Sequence, residues 1–320
     1  MPLDHYVSQV HLKNFYSPAL GERMYGIRKS DLHTFQCSAK DVCRIDEGST
    51  NIYIKENRAI EKFLNSIEPK YNKAVQGLRE DKIDQECVHT IAGFVAYVAS
   101  CSPAAMRIQS EPLQKIGKTT AKVLDAQGKF SRAPAELGSK TVTELLEEGV
   151  VEIDVDPKYP QALGISTIIE RTSRFGNFSW DVMINDQLSS PFFTSDFPIA
   201  IEKTRDPRIL NRVIPLAPDI AIRIRPNIKV DKAKIDLSFS QFSCQRMRLE
   251  YSGVKKINQL IVQCAEKLVF YRDEYPWIQK FVSRNRKYRI EPKTCEFPTL
   301  DGVFLLSSQH ITRVSEHREK

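Results

Sequence analysis

Four side chains of this 320-residue chain have the types needed for acid–base or metal chemistry: His5, Glu61, Glu68 and Asp196. An imidazole titrates close to neutral pH and serves as base, acid or metal ligand. Glu61, Asn65, Glu68 and Asn72 fall at i, i+4, i+7 and i+11, which aligns them as a polar stripe on one face of a helix. Carboxylates one or two turns apart suit a hard divalent cation or proton transfer. Asp196 follows a strand-like run and precedes Pro198, so its carboxylate is expected at a fixed strand end. If these groups converge, two or three carboxylates and an imidazole would suit Mg²⁺ or Mn²⁺. Such an ion polarises a phosphoryl oxygen and acidifies its bound water, the logic of phosphodiester hydrolysis. Gln9 and Asn14 would then orient water or substrate. A metal-free scheme uses His5 as base, with the carboxylates orienting it. Each residue also has a plainer reading: a solvated helix face for the glutamates, a turn cap for Ser195 and Asp196, a satisfied core histidine for His5.

The elements that must position these groups are legible in part. Ile60, Phe63, Leu64, Ile67, Tyr71, Val75 and Leu78 recur at helical steps and predict a helix over 57–78, kinked or broken by Pro69 near Glu68. A second helix over 86–100 is apolar on most faces and is ended by Pro103. The polar, glycine-dotted stretch 112–149 reads as an insertion or flexible connection. Strand patterns follow at 166–170, 178–184 and 192–193, the last two joined as a hairpin through Asn185 and Asp186. Residues 212–225 form a further extended stretch that puts Arg223 and Arg225 on one face, and 254–271 returns to helical spacing. The expected fold class is α+β: a helical amino-terminal half (about 1–110) packed on a mainly antiparallel sheet (about 165–320), with a carboxy-terminal helix, all in one domain.

Composition narrows the function classes. The seven cysteines form no paired framework or zinc spacing, so reduced thiols and a cytoplasmic setting are expected. No basic segment followed by an apolar run opens the chain, and the longest apolar run, 91–99, is too short to cross a bilayer, so neither a secretory signal nor a membrane span is expected. No phosphate-binding loop, nucleophile elbow or His-Glu-x-x-His helix appears, and no nucleotide cofactor is predicted. A formal charge of +7 is compatible with a polyanionic partner. The densest basic and aromatic cluster, Arg272, Trp277, Lys280, Arg284, Arg286, Lys287, Tyr288 and Arg289, mixes the side chains that contact phosphates and stack bases.

Two segments carry a resemblance. His5, Tyr6, Gln9, Leu12, Lys13, Asn14 and Phe15 open the chain, and Thr194, Ser195, Asp196 and Pro198 form a central turn. With Ile214 to Pro218 and Asn258 in a late helix, this order resembles the bacterial family known as domain of unknown function 4238 (DUF4238). The chain departs from the family's pattern at Ser8, where proline is usual, and at Phe197, where asparagine is usual. The resemblance also implies a pair of glutamates on the 57–78 helix. It brings a fold and no established reaction. The residues then support a nucleic-acid-directed hydrolase, a metal-dependent nuclease of a bacterial defence or toxin type. Its catalytic set is His5, Glu61, Glu68 and Asp196, with the three carboxylates as metal ligands. Gln9, Asn14, Thr194, Ser195, Asn258, Arg284 and Arg286 are its expected substrate-facing residues. The alternative is a non-catalytic module that binds nucleic acid or protein.

Overall fold

Helix α4 (Gln85–Cys101) is the centre of the helical part, and it is buried on nearly every face, as its apolar composition requires. Asp84 accepts a hydrogen bond from the Cys87 N–H and caps its start. Against it lie α2 (Ala59–Ile67), α3 (Tyr71–Glu80), α7 (Lys158–Ser166) and α8 (Ile168–Gly176). The computed structural model describes residues 3–187, 189–206, 209–229, 235–299 and 302–314. The predicted 57–78 helix is broken where Pro69 stands: α2 ends at Ile67, a 3-10 turn spans Glu68–Lys70, and α3 starts at Tyr71.

Two predicted segments differ in form. Residues 112–126 belong to α5 (Pro103–Ala126), which starts with Ser102 as cap and Pro103 in its first turn. Leu113, Lys115, Ala121, Lys122 and Leu124 favour helix strongly enough to carry it past Pro112 and Gly117. The short α6 (Val142–Glu147), with a Thr141–Glu144 capping box, folds back on α5. Residues 158–176, read in part as a strand, form α7 and α8. Here Ile165, Ile168, Thr172 and Gly176 recur at helical steps and are buried in the face shared with α4, so packing overrides the β-branched composition.

The remainder is mainly sheet, and the protein is α+β. Strands β7 (Ala200–Lys203), β8 (Leu210–Ala217), β9 (Ile220–Arg225), β5 (Ser179–Ile184) and β10 (Ser243–Arg248) form a five-stranded sheet in the order β10-β5-β9-β8-β7. Only the β10–β5 pair in it is parallel. A second, antiparallel sheet has the order β3-β2-β11-β6, from β3 (Thr34–Cys37), β2 (Met24–Arg28), β11 (Leu268–Tyr271) and β6 (Thr194–Ser195). The expected hairpin between 178–184 and 192–193 does not form. Asn185 donates to the carbonyls of Ser190 and Pro218 and turns the chain out of the first sheet, so that β6 joins β11 in the second. Helix α9 (Tyr251–Cys264) precedes β11, and α10 (Ile278–Asn285) follows it. A long hairpin, β12 (Tyr288–Thr299) with β13 (Gly302–Arg313), packs on α5. Among the described residues no single helix is long and apolar enough to cross a membrane.

Candidate functional site

The amino-terminal strand β1 (Leu3–His5) pairs antiparallel with β4 (Arg44–Asp46) and then turns into the short α1 (Gln9–Lys13). Tyr97 of α4 donates its hydroxyl to the His5 carbonyl and fixes the end of the strand over the helical core. Between this segment and α2 lies a cavity of about 350 Å³. Asp4, His5 and Gln9 form one wall, and Glu61, Asn65 and Glu68 form the other. Glu61, Asn65 and Glu68 share one face of α2 and the 3-10 turn, as their spacing predicts, whereas Asn72, exposed on α3, is not part of the wall.

His5 is half-buried. Gln9 Nε2, which can only donate, lies 3.4 Å from Nδ1, a contact that a neutral ring can accept with its proton on Nε2. Nε2 is buried and makes no hydrogen bond; the Ala39 and Lys40 carbonyls face the ring and favour its charged form without meeting hydrogen-bond geometry. Burial outweighs them, with a smaller push from Arg44, and holds the imidazole below its ordinary pKa. Burial thereby favours the neutral ring, with Nδ1 towards Gln9. The nearby Glu68 carboxylate pulls the other way.

The carboxylates differ in what their oxygens already hold. Asp4 accepts from Arg58 Nη2 at 3.0 Å and from the Ser49 N–H at 2.9 Å. Glu61 takes Arg58 on both oxygens, through Nη2 and through Nε at 2.8 Å, and this keeps its carboxyl below the usual range. Among the described residues, no side chain or N–H donates to Glu68. It is the one carboxylate of the cavity with both oxygens open. Arg58 was not singled out in the sequence; its position three residues before Glu61 was the available signal.

Asp196 does not reach this cavity. It is fully buried at the end of β6, and its oxygens accept three backbone N–H groups, from Glu266, Lys267 and Leu268, at 2.7–3.1 Å. It therefore ties the α9–β11 turn to β6. Burial raises its pKa to about 6, opposed by those N–H donors and by Lys29. Lys29, unremarked in the sequence, is buried beside it and donates to the carbonyls of Ala265 and Tyr288.

The other expected substrate-facing residues also lie outside the cavity wall, apart from Gln9. Thr194 Oγ1 is 2.8 Å from His11 Nε2, and His11 Nδ1 is 2.7 Å from the Tyr71 hydroxyl, a buried triad that joins β6, α1 and α3. Ser195 Oγ accepts from the Phe197 N–H. Asn14 donates to the Leu216 carbonyl. Asn258 accepts from Phe193 N–H and donates to the Pro191 carbonyl, clamping the segment that enters β6. Arg286 caps carbonyls of Lys29 and Ser30. Arg223 and Arg225 both pair with Asp181, at 3.1 and 2.8 Å, and Arg289 pairs with Glu291. Trp277 stacks on Phe193. Lys280 and Arg284 are exposed one turn apart on α10. Among the described residues, no group of three or more His, Cys, Asp or Glu side chains is arranged to hold a metal ion.

The fold and cavity define an α+β protein whose amino-terminal strand sets a histidine against a carboxylate-bearing helix. Residues 4–275 match the family described as Protein of unknown function (DUF4238), and the chain belongs to that family. No curated protein and no solved structure matches the chain.

Proposed function

We propose that the chain is a nucleic-acid-directed hydrolase whose reaction centre is the His5 cavity, with His5 as general base and Glu68 as the carboxylate that meets a Mg²⁺ or Mn²⁺ ion. The observation that carries this reading is the pairing of a neutral imidazole, oriented by Gln9, with a carboxylate whose oxygens are both open. Mg²⁺ is commonly held by one or two carboxylates, with water and substrate phosphate completing its shell, so Glu68 with Asn65 beside it is a sufficient protein contribution. Such an ion supplies charge stabilisation at the phosphoryl group. His5 Nδ1 accepts the proton of the attacking water or hydroxyl once that group displaces the long Gln9 contact. The overall charge of +7 favours approach of a polyanion.

Purified protein incubated with end-labelled RNA and DNA oligonucleotides and millimolar Mg²⁺ or Mn²⁺ should cleave at least one of them. His5→Gln and Glu68→Gln should each slow cleavage by roughly 10²-fold or more with unchanged melting temperature. A wild-type protein that cleaves neither polymer, or a His5→Gln protein at full rate, refutes the reading. A second reading rests on Lys280 and Arg284, exposed together on α10: a non-catalytic module that binds nucleic acid. In that case the pair changed to alanine loses oligonucleotide binding, and His5→Gln does not.

A further inference from the structure

A second cavity, also of about 350 Å³, lies between α5, α7, α8 and the β12–β13 hairpin, and it shares no wall residue with the His5 cavity. Its body is apolar, with Ile108, Leu113 and Leu163 contributing, and at one side it presents Arg171 of α8. The Arg171 guanidinium sits among neutral acceptors: Nη1 donates to the Ala99 carbonyl at 3.2 Å, and Nη2 donates to Gln109 Oε1 at 3.1 Å. Among the described residues no carboxylate pairs with it, and the adjacent Glu170 is engaged by Arg174. A second arginine, Arg212 of β8, is near enough to feel its charge, and no described carboxylate pairs with it either. The two positive charges repel, and burial with this repulsion holds Arg212 down to about 10. A guanidinium stays protonated at that value.

Bonding to the last turn of α4 accounts for one edge of Arg171, since cations favour helix carboxy ends. It does not account for a half-buried guanidinium without a counter-charge at the wall of an apolar cavity, because removing a charge from water without a counter-charge is costly. An anion entering the cavity would supply that counter-charge, and bidentate pairing with carboxylate or phosphate is the geometry guanidinium favours. We propose that this cavity binds a small amphipathic organic anion, its carboxylate or phosphate head on Arg171 and its apolar body along Ile108, Leu113 and Leu163. Pro292, Ser307 and Gln309 of the hairpin close the space, and they lie beyond the family match, which ends at residue 275. The site is therefore assembled by a carboxy-terminal hairpin laid over the family domain.

The test is calorimetry and thermal shift on the full chain with four probes: octanoate, octyl phosphate, 1-octanol and inorganic phosphate. Octanoate or octyl phosphate should bind one to one and raise the melting temperature, and whichever binds more tightly identifies the head group. Octanol and inorganic phosphate should each bind at least about tenfold more weakly than that amphiphile. Arg171→Gln should weaken the amphiphile by about tenfold or more. Leu163→Trp, at the half-open rim, should block it while leaving the Arg171 contacts intact, and it decides the matter if Arg171→Gln fails to fold. Equal binding of octanol and octanoate, equal binding of inorganic phosphate and octyl phosphate, no binding of either amphiphile, or full binding by Leu163→Trp overturns the proposal.

Discussion

Acidification should expose His11 as a buried neutral histidine. Its ring is fully buried, stacked on Phe94 with centroids 4.8 Å apart, and burial lowers its pKa from 6.5 to about 3. The unfolded chain takes up a proton near pH 6.5 that the folded chain refuses until about pH 3. The stabilisation is therefore complete above pH 6.5 and is lost as pH falls through this window, at about 1.4 kcal/mol per pH unit and at most about 5 kcal/mol in all. Lost hydrogen bonds do not drive this, because the Tyr71 and Thr194 hydroxyls can each turn to accept from a charged ring; desolvation does. Asp196 works in the opposite direction: its raised pKa means that the folded chain binds a proton near pH 6, whereas the unfolded one waits until about 3.8, so its contribution improves on acidification. Wild-type stability alone mixes the two effects. Urea unfolding of wild type and His11→Gln from about pH 7 to 4 separates them, since both proteins retain Asp196. The difference between the two curves should shrink by roughly 1 kcal/mol per unit below pH 6. Tyr71→Phe, which keeps the histidine buried, should retain the wild-type slope. Parallel wild-type and His11→Gln curves would refute this account of His11.

Three further substitutions read the fold. Asp196→Ala removes the acceptor of three part-buried N–H groups and should cost about 2–4 kcal/mol in denaturant unfolding, with Asp196→Asn less severe; a melting temperature unchanged in Asp196→Ala would sink its structural role. Gly164→Ala would put a Cβ 2.8 Å from Ser100 Cβ on α4, costing about 1–3 kcal/mol, and adding Ser100→Gly should recover part of that loss; strictly additive effects would show that the helices do not meet there. Ser8 has φ −56° and ψ 134°, and its hydroxyl is buried without a partner, so Ser8→Pro should stabilise by about 0.4–1 kcal/mol. A destabilised Ser8→Pro chain would mean that its N–H has a partner the geometry does not reveal.

These cases mark what the sequence could and could not convey. The α2–α3 break at Pro69 and the shared face of Glu61 and Glu68 were legible because proline chemistry and helical periodicity act within a few residues. The role of Asp196 was not, because its three donors arrive from residues 266–268, some 70 positions away. The alternation that put Arg223 and Arg225 on one strand face was readable, but their partner, Asp181 on β5, faces them only through the register of the sheet. Composition also misled where packing decided: the isoleucines around 165–169 suggest a strand, and the face of α4 makes them helix.

The charge of the His5 cavity leads to a last prediction. Asp4, Glu61 and Glu68 set three carboxylates against the one guanidinium that bonds to two of them, Arg58, so these four groups together carry a formal charge of −2, which the more distant Arg44 offsets only in part. A phosphodiester brings another negative charge into a partly screened space, where close like charges repel by a few kcal/mol. On the proposed hydrolase reading, substrate then enters with compensating charge, and the open oxygens of Glu68 are where a divalent ion would sit between protein and phosphate. KM for the cleaved oligonucleotide near neutral pH should therefore fall as Mg²⁺ rises from chelator to millimolar levels. In Glu68→Gln, which removes one charge and the ion's proposed seat together, that dependence should flatten. Arg58→Gln gives the opposite perturbation: Asp4 and Glu61 lose their shared cation, the cleft becomes more negative, and the Mg²⁺ dependence should steepen. A KM that is the same in chelator and in Mg²⁺ would show that no cation bridges this cleft, and would leave His5 to act without one.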